Sequence, residues 1–423
     1  MSDARPSIIA IEEPRLATRR RVRRRVPRYV AVTMPLALAG LVSLLVSGNA
    51  LRPFEHITTI EAKMASKSDF FQDPEVQRLL LKHGIRVDIH RLGSRAVATQ
   101  SLKGMDVVFP SGQPAAKQIL DRQDRAVESA RPFVTPLVLG TFRGYAETLE
   151  KRGVATAQPA PGGDGETLYY NLDMAKFLKL IEDEETWNSI GFKVPGGRSN
   201  SGRVLVRTSS VCESNSAGTY LSILAFVKNG NEAPGGDDPK DGSKGQDAES
   251  AAEDPVLELA QQVKPLINLQ GMASDEQADS YFSDLGESIA PVTLIYEHQY
   301  LAHQLGYEEK RGKQDTRRVL LYPTPYALTE PQLISLTEKG DKLSDLMETD
   351  PELRDRAIEL GFRVRFSGAE GTSDELNAYL KAHEIQVPAP NPDQTKVDAP
   401  DLNVLEEIIN YVGNCPPPET ETQ

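Results

Sequence analysis

Hydrophobic and polar positions divide this 423-residue chain into stretches of different character. Tyr29–Gly48 holds twenty residues without a charge. A helix of that length rises about 30 Å, the thickness of the hydrocarbon core of a bilayer. Its polar residues are only Thr33, Ser43 and Ser47 beyond the leading Tyr29, so the run lacks the polar face of an ordinary amphipathic core helix. The pattern predicts one N-terminal transmembrane helix. A cleaved signal peptide is the rival reading, because Gly48, Asn49 and Ala50 put small residues at the two positions a signal peptidase inspects. The apolar run is longer than the roughly 7–15 residues of such a leader.

From Phe54 the periodicity alternates between strand and helix. His56–Ala65 reads as a strand, and Asp73–Gly84 as an amphipathic helix with Val76, Leu79, Leu80 and Leu81 at helical spacing. Asp73 can cap that helix, Pro74 suits its first turn, and Gly84 ends it. Ile85–Leu92 and Met105–Phe109 are strands, and Ser129–Thr141 is a long extended segment. Helices are predicted at Ala115–Arg122, Tyr145–Arg152, Asp173–Glu182 and Gly218–Val227, with a strand at Gly202–Arg207. Further on, Ala290–Tyr296 and Arg318–Tyr322 are strands. Glu297–Leu305, Glu330–Glu338, Pro351–Leu360, Thr372–Ala382 and Leu402–Val412 are predicted helices. Strands alternating with helices argue for α/β units around a largely parallel sheet. Asn229–Glu253 breaks the pattern. It is Gly, Asp, Glu, Lys and Pro with almost nothing to bury, and is expected to be a disordered insertion.

Charge adds a direction. The first 28 residues hold nine arginines against three acids, or +6, so the rest of the −13 chain carries −19. Short basic flanks stay cytoplasmic, which places a tail of 28 residues inside and the acidic body outside the cell membrane. The tail can touch the lipid bilayer; the body has no basic footprint and is not expected to bind nucleic acid. Cys212 and Cys415 are the only cysteines. They either form a disulfide, which an extracytoplasmic body permits, or remain two free thiols. No CxxC, HExxH or Cys/His cluster occurs, so neither a metal site nor a cofactor is expected.

Three turns after strand ends are rich in small hydroxyls: Ser66–Ser68, Ser111–Gly112 and Ser209–Ser216. Ligands of open α/β sheets bind beyond the carboxyl ends of the strands, where free N–H groups and serine hydroxyls can hold an anion. Plain helix capping is the competing explanation for each turn taken alone. No GxSxG elbow and no P-loop ending are present, and none of the six histidines pairs with a recognisable nucleophile, so an enzyme is not expected.

The run Glu213–Leu221, placed after the strand RVLVRTS, resembles the SNSG-type strand–turn–helix of bacterial extracellular solute-binding proteins. Ala65–Ser66, Leu92–Arg95, Asp106–Ser111 and Leu294–Glu297 are similar to further turns and strand ends of that family. Tyr322–Pro323, Thr349–Pro351 and Gly361–Arg363 resemble the YP, DP and GFR close of its molybdate-binding-like branch. The resemblance implies a two-lobed Venus-flytrap, that is, a periplasmic-binding-protein type II α/β fold. Residues 54–140 plus 294–386 would form lobe I, and 141–293 lobe II with the insertion 229–253. A linker, short helix and tail would follow at 387–423. The chain would cross outward near Thr135–Tyr145 and return near Val292–Tyr296. By motif position the ligand candidates are Ser66, Ser68, Ser111, Ser209, Ser214, Ser216, Tyr296 and Tyr322.

The expectation is therefore a membrane-tethered, extracytoplasmic solute-binding protein. It closes on a small-molecule or oxyanion ligand, and serves an ABC transporter permease or a sensor. The alternative is an envelope interaction protein that keeps the fold and binds no ligand.

Overall fold

Alternation in the first strand is the period-two signature of a sheet with one face on the core. In β1 (Thr58–Met64), Ile60, Ala62 and Met64 are fully buried while Thr59, Glu61 and Lys63 are not. The computed structural model describes residues 57–65, 67–123, 128–160, 166–193, 199–235, 254–267, 269–272, 274–365, 374–390, 393 and 395–415. The basic tail, the expected span at Tyr29–Gly48, Ser66 and most of the acidic insertion (236–253) lie outside them. Among the described residues no helix is long and apolar enough to cross a membrane.

α1 (Ser68–Gln72) leads into α2 (Pro74–Lys82). The Asp73 carboxylate accepts from the N–H groups of Glu75 and Val76 at 3.0 and 3.1 Å, the capping its sequence predicted. β2 (Ile85–Arg91), α3 (Ser94–Thr99), β3 (Val107–Phe109), α4 (Gln113–Leu120) and β4 (Ser129–Ala130) follow. Next come β5 (Phe133–Phe142), α5 (Arg143–Lys151), β6 (Ala155–Ala157), β7 (Tyr169–Asp173), α6 (Met174–Glu182), β8 (Arg207–Ser209) and α7 (Asn215–Lys228). The chain continues through α8 (Pro255–Val263), β9 (Leu269–Met272), α9 (Ser274–Phe282), α10 (Gly286–Ile289), β10 (Val292–Tyr296), α11 (Glu297–Arg311) and β11 (Arg318–Thr324). It closes with β12 (Leu328–Thr329), β13 (Leu333–Ser335), α12 (Glu338–Thr349), α13 (Pro351–Glu359), β14 (Arg363–Val364), α14 (Asp374–Ala382) and α15 (Leu402–Gly413).

The strands form two mixed sheets. The first has the order β2-β1-β3-β13-β4, with β1, β2 and β3 parallel and β13 antiparallel to both its neighbours. The second runs β6-β7-β11-β5-β10-β8-β9, and β12 and β14 also pair with β5. All ten residues of β5 are buried, as a central strand covered on both faces requires. Gly140 lets it approach its neighbours, since a Cβ there would press on Ile295 and the Tyr281 ring. α7 has no polar face: ten of its fourteen residues are buried, between the second sheet, α8 and α15.

The expected strand at Gly202–Arg207 is not formed as such, since β8 begins only at Arg207. The two segments expected to cross between lobes, Thr135–Tyr145 and Val292–Tyr296, pair with each other through β5 and β10. β10 is registered on β5 from Leu137 to Thr141 and also pairs with β8, so it is an interior strand of the second sheet. The next strand of the first sheet is β13, after β12 has paired with β5. Glu330–Glu338 is not one helix either, because Leu333–Ser335 is drawn into the gap between β3 and β4 and bonded on both sides. The structure joins Cys212 and Cys415 in a disulfide, with Cα atoms 5.3 Å apart across 203 residues of sequence.

Candidate functional site

The carboxyl ends of β1, β2 and β3 meet those of β8 and β10, and the seam between them is polar and buried. Two glycines set its width. A Cβ on Gly93, after β2, would overlap the carbonyl of Glu213, after β8. One on Gly112, after β3, would overlap the side-chain amide of Asn215 at the start of α7.

Serines from both sides line the seam. Ser111 is fully buried, and its N–H donates to Ser94 Oγ at 2.9 Å. Opposite, Ser216 Oγ lies 3.0 Å from Ser209 Oγ and 2.8 Å from Ser214 Oγ, a buried row of three hydroxyls. Ser214 occupies the position before α7, yet its side chain makes no capping bond there. Capping therefore does not account for its hydroxyl. Ser68, at the start of α1, is fully buried, and its Oγ has no hydrogen-bond partner among the described residues.

The electrostatic centre is Lys67, in the turn between β1 and α1. Its side chain is 0% exposed. Its Nζ stands 2.9 Å from the centroid of the Tyr296 ring, which projects from the end of β10. No hydrogen-bond acceptor reaches that ammonium among the described residues. Burial pushes the lysine down to about 7, against the partial restoring pull of Asp69. Asp69 is itself partly exposed and reaches across the seam to His298 Nε2 at 3.3 Å. A carboxylate only accepts, so Nε2 carries the proton and Nδ1 accepts from the Thr135 hydroxyl, also at 3.3 Å. Burial lowers His298 to about 4, although Asp69 opposes the shift; the ring stacks on Phe362 with centroids 4.0 Å apart. Burial works to raise Asp69, but its bond to His298 and the nearby His298 and Lys67 charges outweigh it and hold the carboxyl below its usual range.

The seam thus brings together Ser68, Ser111, Ser209, Ser214, Ser216 and Tyr296, all predicted from sequence; Ser66 lies outside the described residues. Tyr322 belongs to a different network: its hydroxyl donates to Glu297 at 2.7 Å, and Glu297 is paired with Arg363. Lys67, Ser94, Asp69 and His298 were not anticipated. A lysine between two serines and an aspartate reads as a solvated turn; the signal against that reading is the apolar flank, Met64–Ala65 before and Phe70–Phe71 after. Beside the serines, a cavity of about 810 Å³ opens among Ser94, Ser214, Asn215, α4 and α15.

Chemically, the seam offers the buried Lys67 cation, which no acceptor reaches among the described residues, and a set of hydroxyls from both layers. That complements anionic oxygens, which can take hydrogen bonds from both.

No protein-family model matches the chain, and no curated protein matches it. Among solved structures it is similar to the periplasmic binding protein AfuA from Actinobacillus pleuropneumoniae, with fructose-6-phosphate bound. Identity is 11%, the match covers 84% of this chain and 99% of that one, and the TM-score is 0.45. It is also similar to Trichodesmium FutA in complex with iron and citrate, at 10% identity, 84% and 98% coverage, and TM-score 0.42. The periplasmic molybdate-binding protein of Azotobacter vinelandii matches at 13% identity, 72% and 98% coverage, and TM-score 0.39.

Proposed function

We propose that this protein is a solute-binding module whose two lobes, one built on each sheet, close on a small anion. The observation that carries the reading is the Lys67 ammonium, fully buried and reached by no hydrogen-bond acceptor among the described residues. An ammonium taken out of water is strongly destabilising unless an opposite charge or acceptors compensate it. A phosphate, oxyanion or carboxylate between the lobes supplies both. The serines from the two layers then add hydroxyl donors, so the closed arrangement is favoured by contacts the ligand makes only when the layers meet. Chain crossings between the sheets, from β4 into β5 and from β12 into β13, suit a hinge of this kind. We further propose that Tyr29–Gly48 tethers the module to the membrane, with the body extracytoplasmic, where it delivers solute to an ABC-type importer or reports it to a sensor.

Isothermal titration of the full chain with phosphate, sulfate, molybdate and small organic phosphates tests the reading. One of these classes is expected to bind at one site per chain, and Lys67→Met is expected to abolish that heat. Flat titrations across all of them, with the protein folded, overturn it.

A further inference from the structure

The C-terminal segment crosses the seam from outside. At its start, the Tyr326 N–H donates to the Thr395 carbonyl at 3.0 Å, and the Val397 N–H donates to the Tyr326 carbonyl at 2.9 Å. Beyond it, α15 buries Leu405, Ile408, Ile409 and Val412 and packs on α7 and α8, in the layer of the second sheet. Ile409 meets Gly218 of α7, where a Cβ would just touch it. Cys415 fastens the end of the segment to Cys212, in the turn that carries the serine row. On the opposite side α15 reaches the layer of the first sheet. Arg95 of α3 donates to Glu406 through Nε at 3.0 Å and Nη2 at 2.7 Å, and to Asn410 Oδ1 at 2.8 Å. The pair is sheltered, its side chains 15% and 27% exposed. Ser94, which receives the Ser111 N–H, is the residue next to Arg95. The cavity of about 810 Å³ lies between these attachments, walled by Ser94, Ser214 and Asn215 and bounded by Lys396–Leu402.

We infer that residues 395–415 form a strap over the mouth of the cleft. The disulfide and the apolar face hold it permanently to the second layer. Arg95 holds it releasably to the first, so that breaking the Arg95 fork is the step that lets a solute enter and leave. A charge-assisted fork of this kind is strong when sheltered and breaks without disturbing a core, which is what a latch needs. The identity of the solute rests on the anion-binding reading; the latch does not.

The test therefore uses the full chain without ligand, with the disulfide intact, and reads backbone amide exchange. Arg95→Ala and Glu406→Ala are expected to speed exchange at residues 93–95, 112–116 and 213–219 by about five- to tenfold, the range a sheltered ion pair commands. The charge-swapped pair Arg95→Glu with Glu406→Arg is expected to return those amides toward the wild-type rate. Asn410→Ala keeps every charge, should give a smaller change of the same sign, and decides the matter if the charge variants do not fold. Wild-type exchange in the folded single variants, or in Asn410→Ala where they do not fold, overturns the strap. Where an anion binds, its on- and off-rates should both rise in Arg95→Ala with little change in Kd. Absence of any binding speaks against the anion reading and leaves the exchange result standing.

Discussion

The Lys67 ammonium sits 2.9 Å from the centre of the Tyr296 ring, and the two residues come from the ends of β1 and β10, in different sheets. The contact is a cation–π pair in the dry, where such pairs are worth about 2 kcal/mol. That offsets only part of the desolvation of an ammonium, so the site is built at a cost to stability.

Replacing Lys67 by Met should therefore stabilise the ligand-free protein, by about 1–3 kcal/mol. The same change should eliminate anion binding. Urea unfolding and titration calorimetry on one preparation check the two halves together.

The lysine also makes stability depend on pH. Its folded value is lowered to about 7 from 10.5, so between these pH values the unfolded chain binds the extra proton and the folded one does not. The Lys67 penalty should be fully present below pH 7 and relieved as pH rises toward 10.5. Anion binding favours the charged lysine, so above pH 7 it should draw in a proton. Calorimetry in buffers of different ionisation enthalpy measures that uptake, and Lys67→Met should lose both effects.

His298 acts in the acid range. Its folded value is lowered to about 4 from 6.5, so the unfolded state takes up a proton first as pH falls. Its contribution to stability should be lost between pH 6.5 and 4. His298→Gln should flatten that part of the stability curve, measured by chemical denaturation at a series of pH values.

Gly93 should tolerate no side chain. A Cβ there collides with the Glu213 backbone, which cannot swing aside as a side chain would. Gly93→Ala should lower stability by about 1–3 kcal/mol and prise the two layers apart. The melting temperature should fall, and small-angle scattering should report a larger radius of gyration.

Tyr322 separates fold from site. Its hydroxyl serves Glu297, whose carboxylate is buried against Arg363. Tyr322→Phe should cost about 1 kcal/mol and leave anion affinity unchanged. Arg363→Met should be worse, about 3–5 kcal/mol, because it strands a buried charge. Adding Glu297→Gln should recover much of that loss in denaturant melts.

Much of the fold is legible along the chain. The strand at β1, the Asp73–Pro74 start of α2 and the strongly apolar run Gly218–Val227 of α7 follow from local chemistry, and the structure repeats them. The serine turns also come from local pattern, because hydroxyls after a strand end are a short-range feature. Tertiary structure decided the rest. Leu333–Ser335 became a strand because a gap between β3 and β4 offered ladder bonds on both sides, which no local propensity records. β10 joined the second sheet because its partners lie more than 80 residues away in sequence. Lys67 is a polar residue in a serine turn, and Tyr296, which lies against its ammonium, arrives from the other sheet. Burial is a property of the neighbours a residue acquires. The chain by itself determined which side chains stand at the strand ends, and the packing of two sheets determined which of them, Lys67 and Glu297 among them, became buried charges.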